Sequence, residues 1–248
     1  MSEHVLVERS GPLQVIRLNR PEKKNAITRA MYLDMKAALE EGDADESVRC
    51  HVMLGSPGAF SAGNDLADFL AVATGGEGGQ EVYDFLLTLA SCRKPLVSGT
   101  DGIAVGIGTT IHLHCDLTLA TPRTVFSTPF VDLGLVPEAA SSLLAPMVIG
   151  HQRAFALLAL GEGLPAQEAK AVGLIHGVVE PAELEGEVFG LADRLAAKPP
   201  EALRIARDLI RGPREHVLAR IREEAVHFME RLKSEEARSA FMAFMSRK

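Results

Sequence analysis

Apolar positions along the first half of this chain come in short runs broken by turn residues, and from about Pro137 onward they take on helical spacing. Val5–Glu8 and Gln14–Leu18 read as two strands around the turn residues Ser10-Gly11-Pro12. Thr28 can cap a helix over Arg29–Glu41, in which Met31, Leu33, Met35 and Leu39 loosely follow helical spacing. Cys50–Leu54, Lys94–Thr100, Asp116–Ala120 and Val125–Ser127 are compact strand-like segments, with a helix expected over Glu81–Ala90. The stretches Gly55–Leu66 and Asp101–Gly108 are rich in small residues and read as loops; Thr74–Gly79 (TGGEGG) reads as a mobile connection. Beyond Pro137, helices are expected over Ala140–Ile149, His151–Leu160, Ala166–Val172, Ala182–Ala197, Glu201–Arg211, Arg214–Lys233 and Glu235–Ser246.

Strands interleaved with helices and followed by a helical final third predict an α/β fold. The expected division is a core over 1–190 and a helical module over 191–248. At 248 residues and 47% hydrophobic, the chain can bury a substantial core and is far from a disordered composition.

The formal charge of −7 gives no electrostatic footprint for nucleic acid or an anionic membrane, so neither is an expected partner. Cys50, Cys92 and Cys115 are too few for a disulfide framework and match no zinc spacing. The first ten residues lack a secretory apolar region, and no apolar run reaches the ~18 residues of a membrane span. The terminal Ser246-Arg247-Lys248 is near a peroxisomal tripeptide without matching it. A reducing, cytoplasmic setting is the expectation.

Several chemistries lack their motifs. There is no G-x-G-x-x-G opening a helix, no G-x-x-x-x-G-K-[ST] and no G-x-S-x-G. His112, His114, Cys115 and Asp116 lie close in sequence without the spacing of a metal site, and they read as polar residues at the edge of a packed segment; no metal is expected.

Two segments share a design. Ala59-Phe60-Ser61-Ala62-Gly63-Asn64-Asp65-Leu66 follows one strand, and Asp101-Gly102-Ile103-Ala104-Val105-Gly106-Ile107-Gly108 follows another. Small residues admit a ligand close to the backbone, and glycine permits a turn that frees an N–H from its ladder. Two such N–H groups aimed at one carbonyl oxygen form an oxyanion hole, although a Gly/Ala-rich loop on its own is more often plain close packing.

Together, these segments resemble the enoyl-CoA hydratase/isomerase (crotonase) superfamily over essentially the whole chain. Leu18-Asn19-Arg20-Pro21, Asn25-Ala26, Lys94-Pro95-Leu96-Val97 leading into Gly102, and Ala166–Gly173 followed by Leu174 add to the match. The resemblance implies a ββα spiral core with a C-terminal helical trimerisation module, an acyl-CoA substrate, and trimers or dimers of trimers. It places the oxyanion donors on the backbone N–H groups of Asn64 and Ile107. CoA and substrate contacts fall on Ser61, Ala62, Gly63, Asp65, Leu66 and Phe130, with Lys23 and Lys24 near the phosphates. Coenzyme A is then part of the substrate, and no separate cofactor is implied.

The two glutamates of typical hydratases fall on Thr110 and Phe130, neither of which transfers a proton as a carboxylate does. Nearby stands Pro137-Glu138. Locally this pair suits a helix start, with proline in the first turn and an acid at the positive end of the dipole. In the peroxisomal-type Δ3,Δ2-enoyl-CoA isomerases, which the chain further resembles in Phe126-Ser127-Thr128-Pro129-Phe130 and Ser141-Ser142, a Pro-Glu here supplies the single base. Ala139-Ala140 departs from the Gly-Cys or Gly-Gly usual in that subgroup. The resemblance thus implies Glu138 as the base of a double-bond shift, with Asp132 structural or at the pocket rim. Another crotonase-type hydratase, lyase or hydrolase and a catalytically silent acyl-CoA scaffold are the alternatives.

Overall fold

The computed structural model describes residues 2–73, 76 and 78–245. The chain forms β1 (Val5–Ser10), β2 (Leu13–Leu18), α1 (Arg29–Ala44), β3 (Cys50–Leu54), β4 (Ala59–Ser61), α2 (Leu66–Ala73), α3 (Gln80–Ser91), β5 (Leu96–Thr100), β6 (Ile103–Val105) and the one-turn α4 (Ile107–Thr110). It continues through β7 (Leu117–Ala120), β8 (Val125–Ser127), α5 (Ser141–Ile149), α6 (His151–Leu158), β9 (Leu164–Pro165), α7 (Ala166–Ala171) and β10 (Gly177–Val178). The last third holds α8 (Leu184–Ala196), α9 (Pro200–Arg211), α10 (Glu215–Leu232) and α11 (Glu235–Met245).

The strands make two sheets, one ordered β1-β2-β3-β5-β7-β10 and the other β4-β6-β8-β9. Only β1/β2 and β8/β9 are antiparallel. Three times in succession a strand of the large sheet leads directly into one of the small sheet (β3 to β4, β5 to β6, β7 to β8), and helical chain carries the path back. This strand–strand–helix winding is the expected ββα spiral.

The central strands β3 and β5 are buried along their whole length, as parallel strands covered on both faces must be. Their alternation divides the apolar residues between two cores. Ile16, Leu18, Met53 and Leu96 face the larger core under α1 and α3, whereas Val15, Val52, Leu54 and Val97 face Leu184, Val188 and Ala192 of α8. α8 packs on the large sheet and spans position 190, while α10 and α11 turn back onto α2, α3 and α5.

Most elements fall where the periodicity predicts, with ends shifted by a few residues. Met31, Met35 and Leu39 are buried on α1 as expected, but Leu33 is exposed, which is why that helical spacing looked loose. β4 and β6 depart from the sequence reading, which made both segments loops. Three residues are too few to show alternation, and the glycines around them hide the strand signal. α2 also lay outside the predicted elements. The expected mobile connection over 74–79 falls in part outside the described residues, as does Ser246 at the end of the last expected helix.

Candidate active site

β4 and β6 pair in parallel, so the two small-residue segments lie side by side. Gly63 has φ +89°, and a Cβ there would sit 2.9 Å from the Val105 carbonyl oxygen; only glycine allows this approach. Ile27 donates its N–H to the Gly63 carbonyl at 2.8 Å, and the Asp65 N–H donates to the Ile27 carbonyl at 2.9 Å. In that parallel bridge the intervening N–H of Asn64 points away from Ile27.

Across from it, Gly106 turns at φ +57° and donates its N–H to the Ser127 carbonyl at 2.9 Å, anchoring the start of α4 on the end of β8. Thr109 reinforces the anchor, its hydroxyl donating to the Ala104 carbonyl at 2.6 Å and accepting the Ser127 N–H at 3.0 Å. The Ile107 N–H stands at the first position of this one-turn helix, where no intrahelical acceptor exists.

Glu138 enters from the connection between β8 and α5. The residue is 5% exposed, and its carboxyl accepts the Thr110 hydroxyl at 3.1 Å. Burial pushes its pKa up to about 8; the Thr110 hydrogen bond opposes that rise and the nearby Glu224 carboxylate adds to it. A helix-start role is ruled out by the geometry, because α5 begins only at Ser141 and Glu138 precedes it. The acid at the positive end of α5 is Glu224 of α10, which accepts the Ala140 N–H at 2.6 Å and the Ser142 N–H at 3.0 Å.

Asn64 and Glu138 line one cavity of about 70 Å³. Its walls are largely apolar, with Ile27, Phe69, Val82, Leu86, Phe228 and Leu232 contributed by the N-terminal core, α2, α3 and α10. Tyr32 also lines it, donating its hydroxyl to the Asn64 side-chain oxygen at 2.5 Å. Burial first, and the Glu138 charge second, push the Tyr32 pKa well above 10, so the phenol stays protonated and keeps donating.

The other sequence-predicted residues are distributed around this centre. Asp65 reaches the cavity wall, but its carboxylate accepts from Arg20 Nη1 at 2.6 Å and from the Ala67 N–H at 2.9 Å, which caps α2. Burial alone would raise its pKa, yet the Arg20 and backbone hydrogen bonds outweigh that and hold it below the usual value. Ser61 is fully buried; its hydroxyl donates to the Asn25 carbonyl at 2.8 Å and accepts the Gly63 N–H at 3.0 Å.

The Ala62 N–H donates to the Lys24 carbonyl at 2.8 Å, and Lys23 and Lys24 are exposed beside this loop. Lys24 and Asn25 both turn at positive φ, and the Asn25 amide pins that turn by donating to the Ala59 and Phe60 carbonyls at 2.9 and 3.1 Å. Leu66 opens α2, and Phe130 is buried alongside Gly106 outside the cavity lining. Asp132 is exposed and also lies outside that lining.

Tyr32 and Glu224 escape sequence reasoning, and His114, read only as a polar residue at the edge of a packed segment, bonds the Ala139 carbonyl beside the site. Tyr32 sits on the buried face of α1, and a tyrosine on an apolar face is the one signal that could have found its hydrogen-bonded role.

The four residues around His112 do not converge. His112 is held between the Ser98 and Thr100 hydroxyls at 3.0 Å each, His114 bonds the Ala139 carbonyl, and Asp116 is paired with Arg207 and Arg211. Among the described residues Asp43, His51 and Cys92 bring ligand atoms within 4.8 Å of one another, but Asp43 is already engaged by the N–H groups of Arg93 and Lys94.

The two interlocked sheets, with a buried carboxyl and a glycine-turned loop sharing a cavity between them, define a crotonase fold. The chain belongs to the enoyl-CoA hydratase/isomerase family, whose model, described as Enoyl-CoA hydratase/isomerase, matches residues 8–248. It is 38% identical to the enoyl-CoA delta isomerase 2 of Rattus norvegicus over all of this chain, and spans 64% of that protein's length. It is 35% identical to the peroxisomal enoyl-CoA delta isomerase 3 of Mus musculus, covering 100% of this chain and 80% of that one. The solved structure of Pseudomonas aeruginosa OdaA, 39% identical, superposes with a TM-score of 0.94 over 98% of this chain and 99% of its own.

Proposed function

We propose that this protein shifts the double bond of a 3-enoyl-CoA to give the 2-trans-enoyl-CoA, with Glu138 as the only proton carrier. The Glu138 carboxylate takes a proton from C2, and the electron pair of that C–H bond passes into a dienolate. The thioester oxygen carries the developing charge and accepts from the N–H groups of Asn64 and Ile107. The same carboxyl, now protonated, delivers the proton to C4 as the double bond settles between C2 and C3. No cofactor takes part, because coenzyme A arrives as part of the substrate.

The observation that carries this reading is that, of the four acids lining the largely apolar cavity, Glu138 alone accepts from no backbone N–H among the described residues; Asp65 is taken by Arg20 and the Ala67 N–H, and Asp68 by the Arg29 N–H. By the family resemblance, Thr110 and Phe130 fall at the two positions where typical hydratases carry glutamates. The one other buried acid at hand, Glu224, is committed to three donors, the N–H groups of Ala140 and Ser142 and the Ser142 hydroxyl. A single base serves a double-bond shift, whereas adding water requires a second group to hold and activate it. The names of the rat and mouse relatives point the same way. Lys23 and Lys24, exposed beside the Ala62 loop, are assigned to the CoA phosphates, and the apolar cavity to the acyl chain.

A homotrimer or hexamer is part of the same reading. Its support is the apolar surface of α9, where Leu209 and Ile210 are 78% and 85% exposed. No helix among the described residues is long and apolar enough to cross a membrane.

The test is a side-by-side assay of 3-enoyl-CoA and 2-enoyl-CoA with wild type and E138Q. Wild type is expected to convert the former and leave the latter unhydrated, and E138Q to lose ~10²–10⁴-fold in kcat. Hydration of 2-enoyl-CoA without conversion of 3-enoyl-CoA rejects the isomerase reading. An inert wild type that still binds CoA thioesters makes the protein a scaffold.

A further inference from the structure

We infer that Glu224, on α10, is a positioning residue for Glu138: its carboxylate clamps the left-handed turn Ala139–Ala140 that aims the Glu138 side chain into the cavity. The inference rests on Glu138 being the base proposed above.

Ala139 and Ala140 have φ +59° and +55°, so two consecutive residues with side chains occupy the left-handed region. Such residues are strained and persist only where surrounding contacts hold them. The contacts come from two sides. Glu224 accepts the Ala140 N–H at 2.6 Å, the Ser142 N–H at 3.0 Å and the Ser142 hydroxyl at 2.5 Å. All three partners are donors, which an ionised carboxylate satisfies completely and an amide does not. Burial raises the Glu224 pKa, and the three donors together with the positive end of α5 oppose that rise and favour the ionised form.

From the opposite side, His114 Nε2 meets the Ala139 carbonyl at 2.7 Å. Burial lowers the His114 pKa to about 3, so the ring is neutral; since a carbonyl only accepts, its proton sits on Nε2. The turn is closed internally by the Ser141 N–H donating to the Glu138 carbonyl at 2.9 Å. Glu138 is thus the residue immediately before a strained turn gripped by two other elements. Misplacing a reacting group by about 1 Å can cost about 10²-fold in rate. Glu224 lies 84 residues from Ala140 in sequence, so the helical arm that carries it helps set the aim of the base.

The deciding variant is E224Q, which keeps the side-chain length but turns an NH2 group toward one of the three donors. Two quantities are read: amide hydrogen exchange over residues 139–142, and kcat, KM and the affinity for a saturated acyl-CoA. The expected result is exchange in that segment faster by about tenfold or more with the rest of the core unchanged. With it, kcat falls by about 10²-fold while KM and saturated acyl-CoA affinity stay within about twofold. Unchanged exchange in the segment overturns the clamp. Faster exchange with kcat near wild type overturns its role in aiming Glu138, and a parallel loss of binding, turnover and whole-core protection reduces Glu224 to general stability. If instead E138Q turns over like wild type, the base assignment falls separately, and hydrogen exchange alone decides the clamp.

Discussion

Glu138 needs a proton affinity close to working pH if it is to take a proton at C2 and return it at C4, and its surroundings supply one. Burial disfavours the charged form and moves its pKa from 4.5 up to about 8. Below that value the carboxyl is mostly protonated and cannot accept the C2 proton. The limb of kcat/KM is therefore expected to rise about tenfold per pH unit toward an apparent pKa of about 8 and level off above it. Thr110 favours the ionised form through its hydroxyl, so T110V, which removes that donor, is expected to move the midpoint to higher pH. A pH–rate profile of both proteins checks the two expectations; a limb near the ordinary carboxylate range would assign the base elsewhere. At this scale the sequence was informative: Pro137-Glu138 and Gly63-Asn64 were legible as candidates. The hydrogen bond from Tyr32 to the Asn64 side chain was not, because residues 32 and 64 meet only when α1 packs against the loop after β4.

At the scale of elements, the two proposed oxyanion donors depend on β4 and β6 lying in contact. A side chain at Gly63 would meet the Val105 carbonyl at 2.9 Å and would also have to adopt φ +89°. G63A is expected to cost about 1–3 kcal/mol of stability from backbone strain, and to lower kcat as the loop shifts relative to Val105–Gly106. Thermal unfolding and steady-state kinetics on the same preparation test this, and an unchanged melting temperature with full activity would contradict it. Of the small sheet only β8 was legible in the sequence. β4 and β6 are three residues each among glycines, and their strand character comes from pairing with one another and with β8. α1, by contrast, is long enough, and β3 apolar enough, for the sequence pattern alone to find them.

For the whole molecule, the helical arm has two faces with different fates. One side of α10 closes the cavity with Phe228 and Leu232, so the arm folds back over the site of its own chain. α9 instead turns Leu209 and Ile210 outward. Sedimentation is expected to give a trimer or hexamer, with the double variant L209E/I210E dissociating toward monomer. A monomeric wild type would leave that surface unexplained by self-association.

The sequence by itself determined the alternation of strands and helices, the apolar faces that sort into two cores, and the short motifs around Gly63, Gly106 and Glu138. Those features are local, since side-chain period and backbone freedom are written within a few residues. Tertiary structure alone decided that the two glycine turns lie side by side, that the Glu138 carboxyl is buried against Thr110, and that Glu224 grips its turn. Each of these is a contact between segments far apart in the chain, and burial, which sets the proton affinity of Glu138, exists only once the arm has closed over the site.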